Sequence, residues 1–205
     1  MKKNKSSKNW IRKKHKDQFF KKSKIYGYRS RSAFKLIEIN EKYKFLNKDS
    51  YVLDLGCSPG GWSQVLSRKI LKGKILSLDI KPMEPIHGVK YLNFDLNDQF
   101  AYEKIFPYFG RKIDAVISDM AANTTGNKNL DSYTTGELCL KSMNLAKKIL
   151  NNEGVFLSKI FMGSIFDEIN KNANKYFKKV IKYKPTASRK ESKEIYIYCK
   201  GILKV

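Results

Sequence analysis

One lysine stands where the sequence is otherwise apolar. Residues 155–161 read VFLSKIF, so Lys159 interrupts a run that has the pattern of a buried strand. Burying an unpaired ammonium group is costly, so this side chain needs a carboxylate partner or a chemical role. Asp119 follows a second apolar run at the neighbouring sheet edge, and it could be that partner. The alternative is a charge that reaches solvent from the edge of the sheet.

Two other charged residues adjoin apolar segments. Lys35 lies in a helical pattern beside Phe34 and Ile37, and Glu194 is the only acid next to the run IYIY at 195–198. For both residues, position alone favours a charged side chain that reaches solvent.

A glycine loop follows the first predicted strand. The strand Tyr51–Leu55 is followed by GCSPGG at 56–61 and then by a helical pattern. A dinucleotide fold has G-x-G-x-x-G at this place, whereas this loop leaves three residues, Ser58 among them, between Gly56 and Gly60. The wider bend suits a ligand that lies across the strand ends and has no pyrophosphate.

Two carboxylates extend this pattern along the chain. Asp79 ends the second predicted strand, nineteen residues after Gly60, where an acid accepts the hydroxyl groups of a ribose. Asp95 follows the third strand at the same edge. Each of these residues alone also has a purely structural explanation: glycine in a turn, aspartate as a helix cap, and Trp62 as a packed core residue. Together they predict a nucleoside pocket, with S-adenosylmethionine as its ligand.

Strand and helix patterns alternate along the chain. This order predicts an α/β protein with a mostly parallel sheet, helices on both faces and an antiparallel last strand. Strands are predicted at 51–55, 74–79, 89–94, 113–118, 154–160, 177–183 and 195–199, and helices at 31–45, 62–70, 132–150 and 164–175.

The charge is concentrated at the two ends of the chain. The 205 residues carry a net charge of +23, with 13 basic residues and one acid in 1–31 and 11 basic and two acidic residues in 171–205. Aromatic residues lie among the N-terminal charges at Trp10, Phe19, Phe20, Tyr26 and Tyr28. The pattern predicts that 1–30 is an RNA-binding arm before one domain at 31–205, the alternative being a solubilising tail.

The composition of the chain argues against several other classes of protein. Three widely spaced cysteines and two histidines predict no disulfide framework and no metal site, and they indicate a reduced intracellular compartment. No apolar run is long enough to span a membrane, so we expect no membrane partner. A basic organelle-targeting segment is an alternative interpretation of the N-terminus.

Five motifs in order resemble those of the FtsJ-like ribose 2′-O-methyltransferases. They are YRSRSAFKL (28–36), VLDLGCSPGGWSQV (52–65), SDMA (118–121), SKIF (158–161) and SRKESKEIYI (188–197). The resemblance implies a seven-stranded Rossmann-like fold that uses S-adenosylmethionine. Two departures concern the loops: Cys57-Ser58 stands where the family often has Ala-Ala, and Ala122 where Pro is common.

The resemblance also implies site residues. The catalytic set of the family falls on Lys35, Asp119, Lys159 and Glu194. Its cofactor residues fall on Pro59, Gly60, Gly61, Trp62, Asp79, Asp95 and Asp119, beside Gly56 and Ser58 of the same loop. The implied reaction is methylation of a ribose 2′-hydroxyl in structured RNA.

The substrate expected within this family is a uridine of large-subunit ribosomal RNA. Residues 10–20, WIRKKHKDQFF, resemble the arm of the ribosomal members. The alternatives are a methyltransferase of the tRNA anticodon loop and a non-catalytic RNA-binding factor of ribosome assembly. We expect a monomer whose partner is ribosomal RNA or the large subunit, and not DNA.

Overall fold

Six helices and seven strands form the part of the chain that the computed structural model describes, residues 17–122 and 125–203. The helices are α1 (Gln18–Ile25), α2 (Ala33–Tyr43), α3 (Gly61–Lys69), α4 (Ala101–Phe109), α5 (Lys128–Ile149) and α6 (Phe166–Tyr176). The strands are β1 (Tyr51–Leu55), β2 (Lys74–Asp79), β3 (Lys90–Asn93), β4 (Ile113–Ser118), β5 (Leu150–Phe161), β6 (Phe177–Tyr183) and β7 (Glu194–Ile202).

All seven strands belong to one sheet, in the order β3-β2-β1-β4-β5-β7-β6. β3, β2, β1, β4 and β5 pair in parallel, whereas β7 lies antiparallel between β5 and β6. The strand order reverses at β1, because β2 and β3 extend to one side and β4 to the other. In open α/β sheets, such a switch point opens a crevice beyond the carboxyl ends of the strands. The predicted fold class and the antiparallel last strand are confirmed.

The sheet separates two apolar cores. One core packs α2 and α3 against one face, with Leu36, Ile39 and Leu66 fully buried. The other packs α4, α5 and α6 against the opposite face, with Ile105 and Ile169 fully buried. Central strands covered on both faces explain why β1, β4 and β5 read as continuous apolar runs.

Several elements differ in extent from their prediction. α5 begins at Lys128, four residues before the predicted start, because Asn127 caps it by accepting hydrogen bonds from the amides of Asn129 and Leu130. β5 begins at Leu150, which pairs with Ile113 across a break in register. α4 lies in a segment for which no bounds were predicted.

The described part of the basic arm is ordered as α1. Asp17 caps this helix by accepting hydrogen bonds from the amides of Phe19 and Phe20. The rings of Phe19, Tyr26 and Tyr28 lie 5.6–6.2 Å from the ring of Phe34 on α2. A solubilising tail would not need aromatic residues, and three of those in the arm pack against the domain. Trp10 lies outside the described residues.

The structure describes all three cysteines and one of the two histidines. Cys57, Cys139 and Cys199 are buried free thiols, and His87 is exposed. His15 lies outside the described residues. Among the six helices, none is long and apolar enough to cross a membrane.

Candidate active site

Lys159 and Asp119 form an ion pair at the carboxyl edge of the sheet. β4 and β5 are paired so that Ser118 lies opposite Ser158, which brings the next residue of each strand together. The Nζ of Lys159 lies 3.0 Å from Oδ1 of Asp119 and also donates to the backbone oxygen of that residue, at 2.5 Å. Lys159 is only 8% exposed. The carboxylate partner suggested by the apolar pattern is therefore Asp119.

Tyr196 is a third member of this cluster, although it was not predicted from the sequence. It lies opposite Lys159 in the register of β5 and β7, and its hydroxyl donates to Oδ1 of Asp119 at 2.6 Å. Burial and the charges of Asp119 and Glu194 raise the pKa of Tyr196 well above its ordinary value. The phenol therefore stays protonated and acts as a fixed donor. A tyrosine in a strand is common, so its type alone gave no signal.

Lys35 and Glu194 form a second, largely buried ion pair. Their Nζ and Oε1 atoms are 2.6 Å apart, and their side chains are 12% and 11% exposed. Ser188 donates to the same oxygen of Glu194 at 2.7 Å. The expectation that these two charges reach solvent is wrong, because α2 packs over the amino end of β7 and brings them together. Lys35 also lies 5.8 Å from the ring of Tyr196, so the two pairs adjoin.

Glu38 fastens the loop before β7 to α2. Its carboxylate accepts hydrogen bonds from the hydroxyls of Tyr183 and Thr186 and from the amides of Thr186 and Ala187, at 2.7–3.2 Å. Burial acts to raise the pKa of Glu38, but these four donors outweigh it and leave the pKa lowered. The anchored loop carries Ser188 to its contact with Glu194.

The electrostatics of the cluster keep Asp119 ionised. Burial acts to raise its pKa, but the charges of Lys159 and Lys35 and the hydrogen bond from Tyr196 act more strongly in the other direction. The net effect is a pKa below the ordinary value for aspartate. At neutral pH the site therefore holds a carboxylate that orients Nζ of Lys159.

A cavity of about 440 Å³ adjoins this cluster at the crevice beyond the strand ends. Five of the residues predicted to bind a cofactor line it, namely Gly56, Ser58, Asp79, Asp95 and Asp119. Its walls are otherwise mainly apolar, from residues such as Leu78, Phe94 and Met120. Pro59, Gly60, Gly61 and Trp62 do not line it.

The second half of the glycine loop packs against the start of α2. A Cβ at Gly61 would lie 2.1 Å from the hydroxyl of Ser30, and the indole nitrogen of Trp62 donates to the backbone oxygen of Ser32 at 2.9 Å. Trp62 is 2% exposed. These close contacts hold the N-terminal end of α2, which carries Lys35, beside the cavity.

The first half of the loop approaches the segment after β4. Gly56 has φ +74°, and a Cβ there would lie 2.3 Å from Cγ of Met120. A larger residue is therefore excluded both by backbone conformation and by space. Gly56, Met120 and Asp119 all line the cavity, so this contact belongs to its wall.

Asp79 and Asp95 organise the loops around the cavity. Asp79 accepts the amide of Ser58 on one oxygen and the amide of Lys81 on the other, both at 2.8 Å. Asp95 accepts the amide and side-chain nitrogen of Asn97. An ionised carboxylate has about four acceptor positions, so each has capacity left for ligand hydroxyls.

Asp54, which was not predicted from the sequence, is a buried acid next to the site. Its side chain is fully buried, and Oδ2 accepts a hydrogen bond from Ser63 at 2.7 Å, whereas Oδ1 has no partner among the described residues. Burial and the charges of Asp119 and Asp79, opposed by the Ser63 hydrogen bond, raise its pKa to about 7. The sequence contains a signal for it, because Asp54 interrupts the apolar run YVLDL in the same way that Lys159 interrupts the run of its own strand.

Curated relatives resemble this chain over nearly its whole length. It is 50% identical to ribosomal RNA large subunit methyltransferase E of Pelagibacter ubique over 200 residues, which cover 98% of each chain. It is 43% identical to the protein of that name from Rickettsia bellii over 198 residues, covering 94% of this chain and 87% of the relative.

A solved structure supports the same relationship. The crystal structure of a ribosomal RNA methyltransferase from Plasmodium falciparum superposes with a TM-score of 0.75 at 33% identity, covering 86% of this chain and 99% of the other. The sequence model of the FtsJ-like methyltransferases matches residues 28–202. This chain belongs to the FtsJ-like methyltransferase family.

Proposed function

We propose that this protein transfers a methyl group from S-adenosylmethionine to the 2′-hydroxyl of a uridine ribose in large-subunit ribosomal RNA. The observation that carries the proposal is the convergence of Lys35, Asp119, Lys159 and Glu194 beside the 440 Å³ cavity. The names of the relatives, which are large-subunit ribosomal RNA methyltransferases, support the substrate class.

The cavity fits this cofactor. Asp79, Asp95 and Asp119 bring three carboxylates to one cavity in a chain whose net charge is +23, which suits a ligand with a sulfonium and an ammonium group. Its apolar walls suit an adenine ring. Asp79 is placed to accept the ribose hydroxyls, and Asp95 lines the same cavity one strand further along. When bound, S-adenosylmethionine supplies an activated methyl group.

The chain's own residues manage the hydroxyl proton. Lys159 uses two of its three donor positions on Asp119, which leaves one for the substrate oxygen. As an ammonium group, Nζ of Lys159 donates from this position to the substrate oxygen and balances the developing alkoxide charge. As a neutral amine, it presents a lone pair at the same position and receives the hydroxyl proton. Asp119, itself fixed by Tyr196, keeps Nζ in place. Assistance of this kind accelerates the reaction roughly 10²–10⁴-fold. Alignment of the reacting groups must supply much of the remaining rate enhancement.

Lys35 and Glu194 are assigned to the substrate. Their buried pair adjoins the Lys159 cluster through Tyr196, so it lies where a ribose would enter beside the cavity. We assign Lys35 to holding the nucleotide and Glu194 to orienting Lys35. All of these residues come from one chain, which supports the expectation of a monomer.

The basic ends of the chain are assigned to the RNA backbone. Residues 1–31 and 171–205 hold most of the net charge, whereas the cofactor cavity is lined by residues between them. Phosphate contacts position RNA largely without regard to sequence, so these ends would hold the substrate and the cavity edge would select the ribose.

The test is transfer of labelled methyl groups from S-adenosylmethionine to three substrates: large ribosomal subunits, naked large-subunit RNA and tRNA. A methylated 2′-oxygen cannot attack its neighbouring phosphate, so resistance of one RNA linkage to alkali locates the product. Alkali-resistant label in large-subunit RNA is the expected result. Label in tRNA alone would favour the anticodon-loop alternative, label on a base would refute the reaction, and binding without transfer would indicate the assembly-factor alternative.

A further inference from the structure

A smaller cavity lies against the Lys35–Glu194 pair. Its volume is about 280 Å³, and its lining residues are Arg31, Lys35, Arg189, Glu191, Ser192 and Glu194. Two guanidinium groups therefore share a cavity with two of the proposed catalytic side chains. Guanidinium pairs of this kind match the oxygens of a phosphate or a carboxylate.

A carboxylate from the arm already pairs with both of these arginines. Oδ2 of Asp17 pairs with Nη1 of Arg31 and lies 3.8 Å from Nε of Arg189, while Oδ1 of the same residue caps α1. Asp17 is the only acid among residues 1–31, and its side chain is 11% exposed. The arm thus places its one negative charge between two arginines at the edge of the proposed substrate site.

The arginines are incompletely satisfied by this arrangement. Nη2 of Arg31 donates to the backbone oxygen of Ala187 at 2.5 Å, but Nε of Arg31 is buried and has no partner among the described residues. Burial and the charge of Arg189 lower the pKa of Arg31. Arg189 meets Asp17 only at 3.8 Å and its side chain is 51% exposed. Arg189 therefore has donors left for an anionic ligand, and Arg31 offers such a ligand the position that Asp17 now holds.

We propose that Arg31 and Arg189 bind the RNA backbone phosphate next to the target ribose, and that Asp17 fills this place until RNA displaces it. The inference rests on the proposed function, since RNA is the ligand. The phosphate on the 3′-oxygen is the immediate neighbour of the reacting 2′-oxygen, and Lys35 lies in both sites. With Asp17 in place, Arg31, Arg189 and Lys35 face three acids, Asp17, Glu191 and Glu194. Exchange of Asp17 for a phosphodiester preserves this balance.

Replacement of Asp17 with asparagine tests the effect of its charge on RNA binding while keeping the helix cap. Asn retains an oxygen that caps α1, since Asn, Asp and Ser are similar at this position. Binding of a labelled oligouridine is measured by fluorescence anisotropy across a salt series. We expect Asp17→Asn to bind roughly three- to tenfold more tightly, because no carboxylate competes for the arginines. Asp98→Asn is the matched control, since it removes a carboxylate paired with Lys104, outside both basic ends of the chain.

Arg189→Gln tests the same site from the other side. It should weaken binding and lower the log–log salt slope by roughly 0.7–0.9, the contribution of one neutralised phosphate. In the double variant, most of the gain from Asp17→Asn should disappear. Equal affinities for Asp17→Asn and Asp98→Asn would overturn the proposal, and so would weaker binding by Asp17→Asn, because it would show that Asp17 only anchors the arm. If Asp17→Asn melts early, Asp17→Ser is used, because serine also caps a helix and removes the charge.

Methyl transfer and oligouridine binding, both measured on the parent protein, distinguish a failure of the phosphate site from a failure of the proposed function. Parent protein that methylates large-subunit RNA while neither variant changes affinity would retain the function and refute the phosphate site. Parent protein that binds oligouridine with the expected variant effects but transfers no methyl group would retain the site and refute the function.

Discussion

Lys159 and Tyr196 face each other across β5 and β7 and donate to the same carboxylate oxygen, Oδ1 of Asp119. The two donors come from neighbouring antiparallel strands, and the acceptor follows a third strand that is parallel to β5. The position of Lys159 is therefore set by the sheet itself. A site built on strand register holds its geometry more firmly than one built on loops.

Exchange of Lys159 separates its chemical role from its structural role. Lys159→Arg keeps a cation for Asp119 but cannot take up a proton at neutral pH, so we expect near-parental melting and a turnover at least about 10²-fold lower. Lys159→Met removes the cation and leaves Asp119 less compensated, so it should also lose stability, by on the order of 3 kcal/mol. Thermal melting and single-turnover methyl transfer measure the two effects. An arginine variant with parental turnover would exclude Lys159 as proton acceptor.

Tyr196→Phe removes one donor from Asp119 without changing the packed ring. A hydrogen bond from a buried phenol to a carboxylate is worth about 1.5–3 kcal/mol, so the variant should be less stable by that order. Turnover should fall less than in Lys159→Arg, because Tyr196 positions and does not react.

Tyr198→Phe is the matched control for Tyr196→Phe. It lies two residues further on the same buried strand and stacks on Tyr43 with ring centres 4.3 Å apart. Its hydroxyl makes no bond to Asp119. If both variants behave alike in melting and turnover, the contact between Tyr196 and Asp119 carries no special function.

Asp54→Asn should change how stability depends on pH. Between the unfolded pKa of 3.8 and the folded pKa of about 7, the folded protein holds a proton that the unfolded chain releases, so stability falls as pH rises. The asparagine variant does not show this decrease. The stability of the variant relative to the parent should therefore rise by roughly 2–3 kcal/mol between pH 5 and pH 8.

Urea unfolding at both pH values measures the effect. Asp49→Asn, at an exposed position, is the control and should leave the pH dependence unchanged. A parallel shift of the Asp54→Asn curve at both pH values would show that this carboxyl does not titrate in the range between them.

Asp79→Ala tests the cofactor cavity. The change removes an acceptor for ligand hydroxyls and frees the amides of Ser58 and Lys81, so affinity for S-adenosylmethionine should fall by roughly tenfold or more. Calorimetric titration measures it. Asp98→Ala is the control, because Asp98 pairs with Lys104 outside this cavity. Unchanged affinity in Asp79→Ala would move the ribose contact elsewhere.

The sequence predicted the parts of the site that lie on strands. Lys159 and Asp119 follow from apolar runs whose ends meet at one edge, and the strand bounds around 51–55, 74–79 and 113–118 match the structure. Local pattern is sufficient there, because burial on both faces produces a continuous apolar run. The same rule identifies Asp54 when it is applied to β1.

The rest of the site depends on contacts between distant segments. Lys35 and Glu194 are 159 positions apart, and their burial follows from the packing of α2 on β7, which no local pattern encodes. Likewise, the spacing of the glycine loop predicts a tight turn but not which half faces the cavity. α1 was missed because its short sequence, QFFKKSKI, mixes three lysines with three apolar residues, and the packing of Phe19 on Phe34 is a contact with another segment.

Deletion of residues 2–16 tests the role of the basic arm. This segment carries eight basic residues and no acid, and it ends before the α1 cap at Asp17, so the described packing stays intact. RNA affinity should fall, and the log–log salt slope should decrease by roughly 0.7–0.9 for each phosphate that the arm neutralises in the parent protein. Affinity for S-adenosylmethionine should hold, since the cavity is lined by residues from Leu55 onward. A full-length variant with the eight basic residues changed to glutamine is the control. If it keeps the parental slope while the deletion lowers it, chain length and not charge explains the weaker binding, and the arm does not bind phosphate.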